Sequence, residues 1–326
     1  MRSHSALYVD AGYLLSSAAT RLTGSSLRRG IEVNYATLVA ALTEVVQQDS
    51  GLPLLRVYWY DAARDGKATP TQEGIALLPN VKLRLGRIGV DGEQKGVDLR
   101  IGLDMVGHSR AGRVDVMYLL SGDDDLTEAV EEAQAQGVQV NVLAVPSSSL
   151  APHGVSRHLL FAADGLGVLD HAILDRSVTP TKVVPVEAPA EIVVDTAPTH
   201  PDPVHATAAA RPTPAAIAKM VPSLAVKNAV SQGGPTAPQG QTPRHDPDEL
   251  AESIVAVARK TFDAWSLTAS AAQLEELKSG RPSIPRDLDR ALLVDLSGAL
   301  DEFALSDAMR FSLRAKFWEA VDAARE

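Results

Sequence analysis

The sequence predicts an α/β fold for its first half, a doubly wound, mainly parallel five-stranded sheet with helices on both faces, followed by a small C-terminal helical domain. Three observations carry this. Five short apolar runs are separated by stretches of helical spacing in residues 1–176; strands that alternate with helices imply right-handed crossovers and a sheet covered on both sides. Residues 177–245 contain 12 of the 20 prolines and no aromatic residue, so this stretch lacks the means to bury a core and reads as a disordered linker. Residues 246–326 return to amphipathic helical patterns.

In chain order, the first run is "SALYVD", ending at Asp10, with a helix expected from Ala11 and a second from Tyr35 to about Gln48. "LLRVYWYDA" is the second strand, followed by a short helix near Glu73, and "VKLRLGRI" is the third. A helix from Lys95 leads into "VDVMYLL"; a further helix from Asp125 leads into "QVNVLAV", the fifth strand. His153 and His158 fall in the expected last helix of this domain and show no metal-ligand spacing. In the last part, Leu250, Ile254, Val257, Ala258 and Phe262 recur near helical spacing, which fits a helical bundle or a winged-helix-like unit. Phe311, Phe317 and Trp318 read as core or as a base-stacking platform, with core the expectation.

The formal net charge is −10, and the difference between basic and acidic residues is −5 in 1–176, +1 in 177–245 and −6 in 246–326. This argues against coating nucleic acid through a broad basic surface. There is no cysteine, so disulfides and cysteine-based zinc sites are excluded. No basic-then-apolar leader and no membrane-length apolar stretch is present, so a soluble cytoplasmic protein without membrane partners is expected. No Gly-rich loop with a following Lys-Ser/Thr, and no dinucleotide glycine spacing, points to a nucleotide cofactor.

The stretch "VMYLLSGDDDL" places Asp123, Asp124 and Asp125 side by side after a strand. Two carboxylates about 4 Å apart repel by roughly 4 kcal/mol at an effective dielectric near 20, so something must offset them. Singly, the acidic residues have ordinary roles: Asp10 caps a helix, Asp98 sits in the first turn of a helix, and Asp125 with Glu128 forms a capping box. Together they suggest more. In a doubly wound sheet, ligands bind beyond the carboxyl ends of the strands at the point where strand order reverses, and neighbouring first and fourth strands would bring Asp10 to Asp123–Asp125. Asp98, opening the helix into the fourth strand, would complete the set. Convergent carboxylates without sulfur or imidazole form a hard site suited to Mg²⁺ or Mn²⁺, and such an ion activates water for attack on phosphorus. Asp123 and Asp125 are expected to point inward and Asp124 outward. Asp104, about 600° further around the helix than Asp98, lies roughly 120° off its face and is a secondary candidate for an outer role or a salt bridge.

With these residues in view, the first half resembles the NYN-domain family of PIN-like nucleases. "LYVDAGYLL", "KGVDLRIGLDMV" and "DVMYLLSGDDDLTEAVEEAQAQGVQVNVLAV" carry the resemblance in that order. It implies a metal-dependent ribonuclease that cleaves RNA phosphodiesters by metal-activated water, with catalytic and metal-holding carboxylates at Asp10, Asp98, Asp123 and Asp125. Lys95 and Gly96 match the family's lead into the central helix, where the lysine would meet a phosphate or stay solvated. Many relatives carry asparagine where this chain has Tyr13, a departure that bears on water positioning; the phenol packs against the sheet or stacks on a base. The alternative reading is a catalytically weak or inactive RNA-binding or regulatory module on the same fold. Lys82, Arg84, Arg87, Arg64, Lys67, Arg100 and Arg110 are available for phosphate contact, and Asp61 is a peripheral acid. The helical end is assigned to self-association, to a protein partner or to substrate guidance.

Overall fold

The structure, a computed structural model, describes residues 3–64, 66–88, 94–181, 246–300 and 305–323. Most of the expected linker lies outside these residues, as do the side chains of Gln94 and Lys95.

The main sheet has seven strands: β1 (Ser5–Asp10), β3 (Leu54–Arg64), β4 (Val81–Ile88), β5 (Gln94–Lys95), β6 (Val116–Leu120), β7 (Gln139–Ala144) and β8 (Gly165–Val168), in the order β5-β4-β3-β1-β6-β7-β8. Six are parallel and the two-residue β5 runs antiparallel on β4. A two-stranded antiparallel ribbon pairs β2 (Ile31–Val33) with β9 (Val178–Pro180). The helices of this part are α1 (Ala11–Thr23), α2 (Tyr35–Ser50), α3 (Pro70–Ala76), α4 (Val97–Arg110), α5 (Thr127–Ala135), α6 (Arg157–Ala162) and α7 (His171–Ser177). The five expected strands are all present. β8 is a sixth parallel strand that its glycines concealed, and β2, β5 and β9 are too short to show a period. The folded chain runs past the expected boundary at 176, since Val178 in β9 is buried. His153 precedes α6 rather than lying in it.

β1 is buried along its whole length because both faces are covered. Leu7 and Val9 enter one core with Leu14, Leu38, Leu42 and Trp59. Ala6 and Tyr8 enter the other with Tyr60, Ile101, Met105 and Val130. On that second face Tyr8 stacks on Tyr58 at 5.2 Å, and its hydroxyl meets His108 Nδ1 at 2.8 Å. Growth from β1 through β3 to β4, then back through β6, β7 and β8, puts the reversal of strand order between β1 and β6.

The C-terminal part is four helices, α8 (Pro247–Ser266), α9 (Ala271–Ser279), α10 (Arg286–Leu300) and α11 (Asp307–Ala323). Ile254, Phe262, Leu292, Leu296 and Phe317 share one core, and Leu27 of the sheet-bearing part is buried in it. Phe317 and Trp318 are buried there, whereas Phe311 is 78% exposed and is not core. The described residues on either side of the linker form one compact unit. Asp295 of α10 fixes the join: its carboxylate accepts the Ser26 amide at 2.9 Å and the Thr261 hydroxyl at 3.3 Å. Arg29 stacks over Trp265 at 4.9 Å. Among the described residues, no helix is long and apolar enough to cross a membrane.

Candidate active site

Asp10 ends β1 and caps α1, with Oδ1 accepting the Tyr13 amide at 3.2 Å. Because Val9 pairs with Leu120 across β1 and β6, the residue that follows β6, Ser121, comes beside Asp10, and its hydroxyl donates to Oδ2 at 3.2 Å. Asp10 is only 8% exposed. Burial pushes its carboxyl above the ordinary value, while the Tyr13 amide, the Arg28 guanidinium, the Ser121 hydroxyl and the Gly12 amide pull it back.

The turn after β6 is built around Gly122. A Cβ there would stand 1.8 Å from the Gly154 carbonyl oxygen and 2.9 Å from the Tyr13 ring, so only glycine fits this close approach. Asp123 then caps a 3₁₀ turn, accepting the Asp125 amide at 3.1 Å. Gly96, with φ +77°, turns the chain into α4 and puts Asp98 in its first turn. Burial first, then the charges of Asp123 and Asp10, raise the Asp98 carboxyl to about 6; its own backbone amide opposes this and Asp125 adds to it.

Asp10, Asp98 and Asp123 line one cleft of about 680 Å³. They come from β1, α4 and the end of β6, at the strand-order reversal where a doubly wound sheet binds ligands. They ring the cleft: among the described residues, no three of His, Asp or Glu stand close enough together to form a ready coordination set.

The other expected site residues are placed differently. Asp125 does not line the cleft; it is exposed, and its amide serves Asp123. The expected inward–outward alternation fails because the chain enters a 3₁₀ turn here. The capping box expected of Asp125 and Glu128 does not form either, since α5 starts at Thr127 without a side-chain cap. Asp124 is exposed, as expected, and accepts from Ser156 Oγ at 2.5 Å with His158 at 3.2 Å. Asp104 is occupied elsewhere, accepting Tyr60 Oη at 2.9 Å and pairing with Arg84 at 3.0 Å. Tyr13 packs: its hydroxyl donates to the His153 carbonyl at 2.6 Å and accepts the Val145 amide at 3.2 Å. The Lys95 side chain lies outside the described residues. Asp61 holds Gln72 Nε2 at 2.8 Å and faces Arg28 at 3.5 Å.

The far wall of the cleft belongs to α10, which contributes Arg286, Asp289, Arg290, Leu293 and Val294. Sequence reasoning missed these residues. The spacing of Arg286, Arg290 and Val294 at four residues puts them on one helical face, but only the Asp295–Ser26 contact shows which surface that face meets. Asp289 is engaged by Arg314 at 2.7 and 2.8 Å.

Among known proteins, a 74-residue segment is 42% identical to the uncharacterized protein y4oD of Sinorhizobium fredii; the match covers 23% of this chain and 35% of that protein, about a third of its length. A solved structure of a protein of unknown function from Vibrio parahaemolyticus aligns with 22% identity and a TM-score of 0.37, covering 52% of this chain and 94% of the other. The model of the NYN domain matches residues 4–170, a span that holds β1 through β8 and all three cleft carboxylates. This chain therefore belongs to the NYN domain family.

Proposed function

We propose that this protein is a divalent-metal-dependent ribonuclease acting in the cytoplasm, and that it hydrolyses RNA phosphodiester bonds in the cleft between β1, α4 and the β6 turn. One observation carries the reading. Three carboxylates from distant parts of the chain line the same cleft, and burial, joined by the charges of Asp123 and Asp10, lifts Asp98 to about 6. That arrangement is costly to an empty protein and suits a hard, doubly charged ion.

The donor set fits Mg²⁺ or Mn²⁺ in chemistry. Asp10, Asp98 and Asp123 would hold the ion, with Asp125 at the rim. When bound, it supplies Lewis-acid activation of water and of the phosphodiester. The chain's own groups do the rest. The Tyr13 amide and Ser121 hydroxyl fix the rotamer of Asp10, and Asp98, whose carboxyl is raised by burial and by Asp123 and Asp10 in the metal-free cleft, would give up its proton as the ion binds. Gly122 keeps the Asp123 turn against Gly154.

The experiment is cleavage of end-labelled single-stranded and structured RNA by the purified chain with Mg²⁺, with Mn²⁺ and with EDTA. Cleavage in either metal that vanishes in EDTA and in Asp123→Asn is the expected result; equal cleavage by Asp123→Asn overturns the reading. A second reading, an RNA-binding module without turnover, is favoured by the absence of a ready coordination set among the described residues and by the engaged Tyr13 hydroxyl. Tight, salt-sensitive RNA binding without products in either metal would select it.

A further inference from the structure

Beside the acidic cleft lies a second cavity of about 290 Å³, and four arginines line it: Arg28 and Arg29 from the turn before β2, and Arg286 and Arg290 from α10. Gly12, Arg286, Arg290 and Val294 border both cavities, so the basic space opens onto the acidic one. Gly12 makes the junction close. A Cβ at that position would stand 2.8 Å from Asp10 Oδ1 and 3.0 Å from Arg28 Nη2, so the missing side chain is what lets a guanidinium approach the first carboxylate.

Arg290 stands between two fields. The carboxylates of Asp10, Asp98 and Asp123 favour its charge, while burial and the Arg28 guanidinium oppose it. The α10 wall that carries it is docked through the Asp295–Ser26 bond, and the helical part as a whole through the buried Leu27 and the stack of Arg29 on Trp265 of α8. That is a built interface within one compact unit, and it places Arg290 on the wall of the cleft.

We propose that the C-terminal helical domain completes the nuclease site: Arg290 and Arg286 of α10, with Arg28, form a phosphate track that holds the RNA backbone beside the scissile bond. The inference rests on the ribonuclease reading above and gives the helical domain its role in it. Guanidinium groups suit this task because their planar donors match phosphate oxygens in pairs. The C-terminal part is acidic and its wall is mixed, since Asp287 lines the basic space and Asp289, paired with Arg314, lines the cleft; the track rests on the four guanidiniums that gather where the two spaces meet.

The test is RNA binding by the full wild-type chain, with a fluorescent single-stranded oligoribonucleotide and Ca²⁺ in place of Mg²⁺ to hold cleavage back, over a range of salt. Arg290→Gln is expected to weaken binding about tenfold, the scale of one charge-assisted contact, and to reduce the slope of log affinity against log salt by about 0.7, the value for one phosphate on a single strand. Arg290→Lys is expected to restore most of the slope, and Arg286→Gln added to Arg290→Gln to lower it again. Arg259→Gln removes the same charge from an exposed position lining a different depression and is expected to keep the affinity of the parent. Unchanged affinity and slope in Arg290→Gln overturn the proposal. So does tighter binding, which is what an internal counter-ion masking the carboxylates would give, and so does a parent that binds no RNA. If binding follows the arginines while the wild-type chain cleaves nothing in Mg²⁺ or Mn²⁺, the nuclease reading fails and the track stands.

Discussion

Replacing Asp98 with asparagine should make the metal-free protein more stable at alkaline pH while removing a site carboxylate. Asp98 titrates at about 6 in the fold, against about 3.9 for an unperturbed aspartate; that difference is worth about 3 kcal/mol between the two protonation states. Asp98 keeps part of its surface in solvent, so screening reduces the figure, and about 1.5 kcal/mol is a sounder magnitude. A carboxyl raised by folding binds its proton more tightly in the native state. Its contribution to stability is therefore fully present below about pH 4 and is lost as pH rises through about 6. Asparagine carries no such dependence. At pH 8 in EDTA, Asp98→Asn should melt about 3 to 6 °C above wild type, given 2–4 °C per kcal/mol for a folded unit of this size; near pH 4 the gap should close. Added Mn²⁺ should raise the wild-type midpoint by mass action and the variant's far less. The assay is thermal unfolding followed by circular dichroism. A variant that melts below wild type at pH 8 in EDTA, or a gap that is the same at both pH values, refutes the argument that the cleft stores electrostatic strain.

The remaining predictions separate framework from site. Gly122→Ala drives a methyl into the Gly154 carbonyl and should cost about 3 kcal/mol or more in chemical denaturation, at or above the usual range for overpacking. Tyr13→Phe leaves the His153 carbonyl and Val145 amide without the hydroxyl that joins them and should cost about 2 kcal/mol by the same measurement. Asp104→Asn breaks the Arg84 pair and weakens the Tyr60 bond; it should cost about 1–2 kcal/mol yet retain RNA cleavage, in contrast to Asp123→Asn.

The strands of the doubly wound core were legible because each is an apolar run long enough to stand out, whereas the order reversal between β1 and β6 is one of several that helical crossovers allow and is seen only in the sheet itself. Asp10 and Asp123 were legible as strand-end acids for the same reason. Other features were hidden. β8 reads "GLGV", and its glycines look like a loop until Leu143 and Asn141 of the neighbouring strand are seen against them. Asp125 appeared equivalent to Asp123 by alternation, but the backbone there winds into a 3₁₀ turn and uses the Asp125 amide to cap. Arg286 and Arg290 lie beyond the linker, and their partnership with Asp10 depends on docking through Leu27 and Asp295, a long-range contact that no local spacing encodes.

On the proposed reading, the same docking resolves the conflict between a net charge of −10 and a polyanionic substrate. At physiological ionic strength, exposed charges separated by more than about 8 Å are largely screened, so the acidic surface mainly slows encounter, an effect that added salt relieves. What a bound phosphate feels is the local wall, and here that wall has two halves of opposite sign: carboxylates from β1, α4 and the β6 turn, and guanidiniums from α10 and the turn before β2. Neither half suffices for RNA. The carboxylates alone repel phosphate, and the arginines alone are drawn toward the carboxylates, as the pull of Asp10, Asp98 and Asp123 on Arg290 indicates. The proposed divalent ion would change both relations at once, satisfying the acids and leaving the guanidiniums to phosphate. On the proposed reading, metal and RNA should therefore bind with positive coupling, each raising the affinity of the other by the same factor, and Arg290→Gln should diminish that factor from both directions.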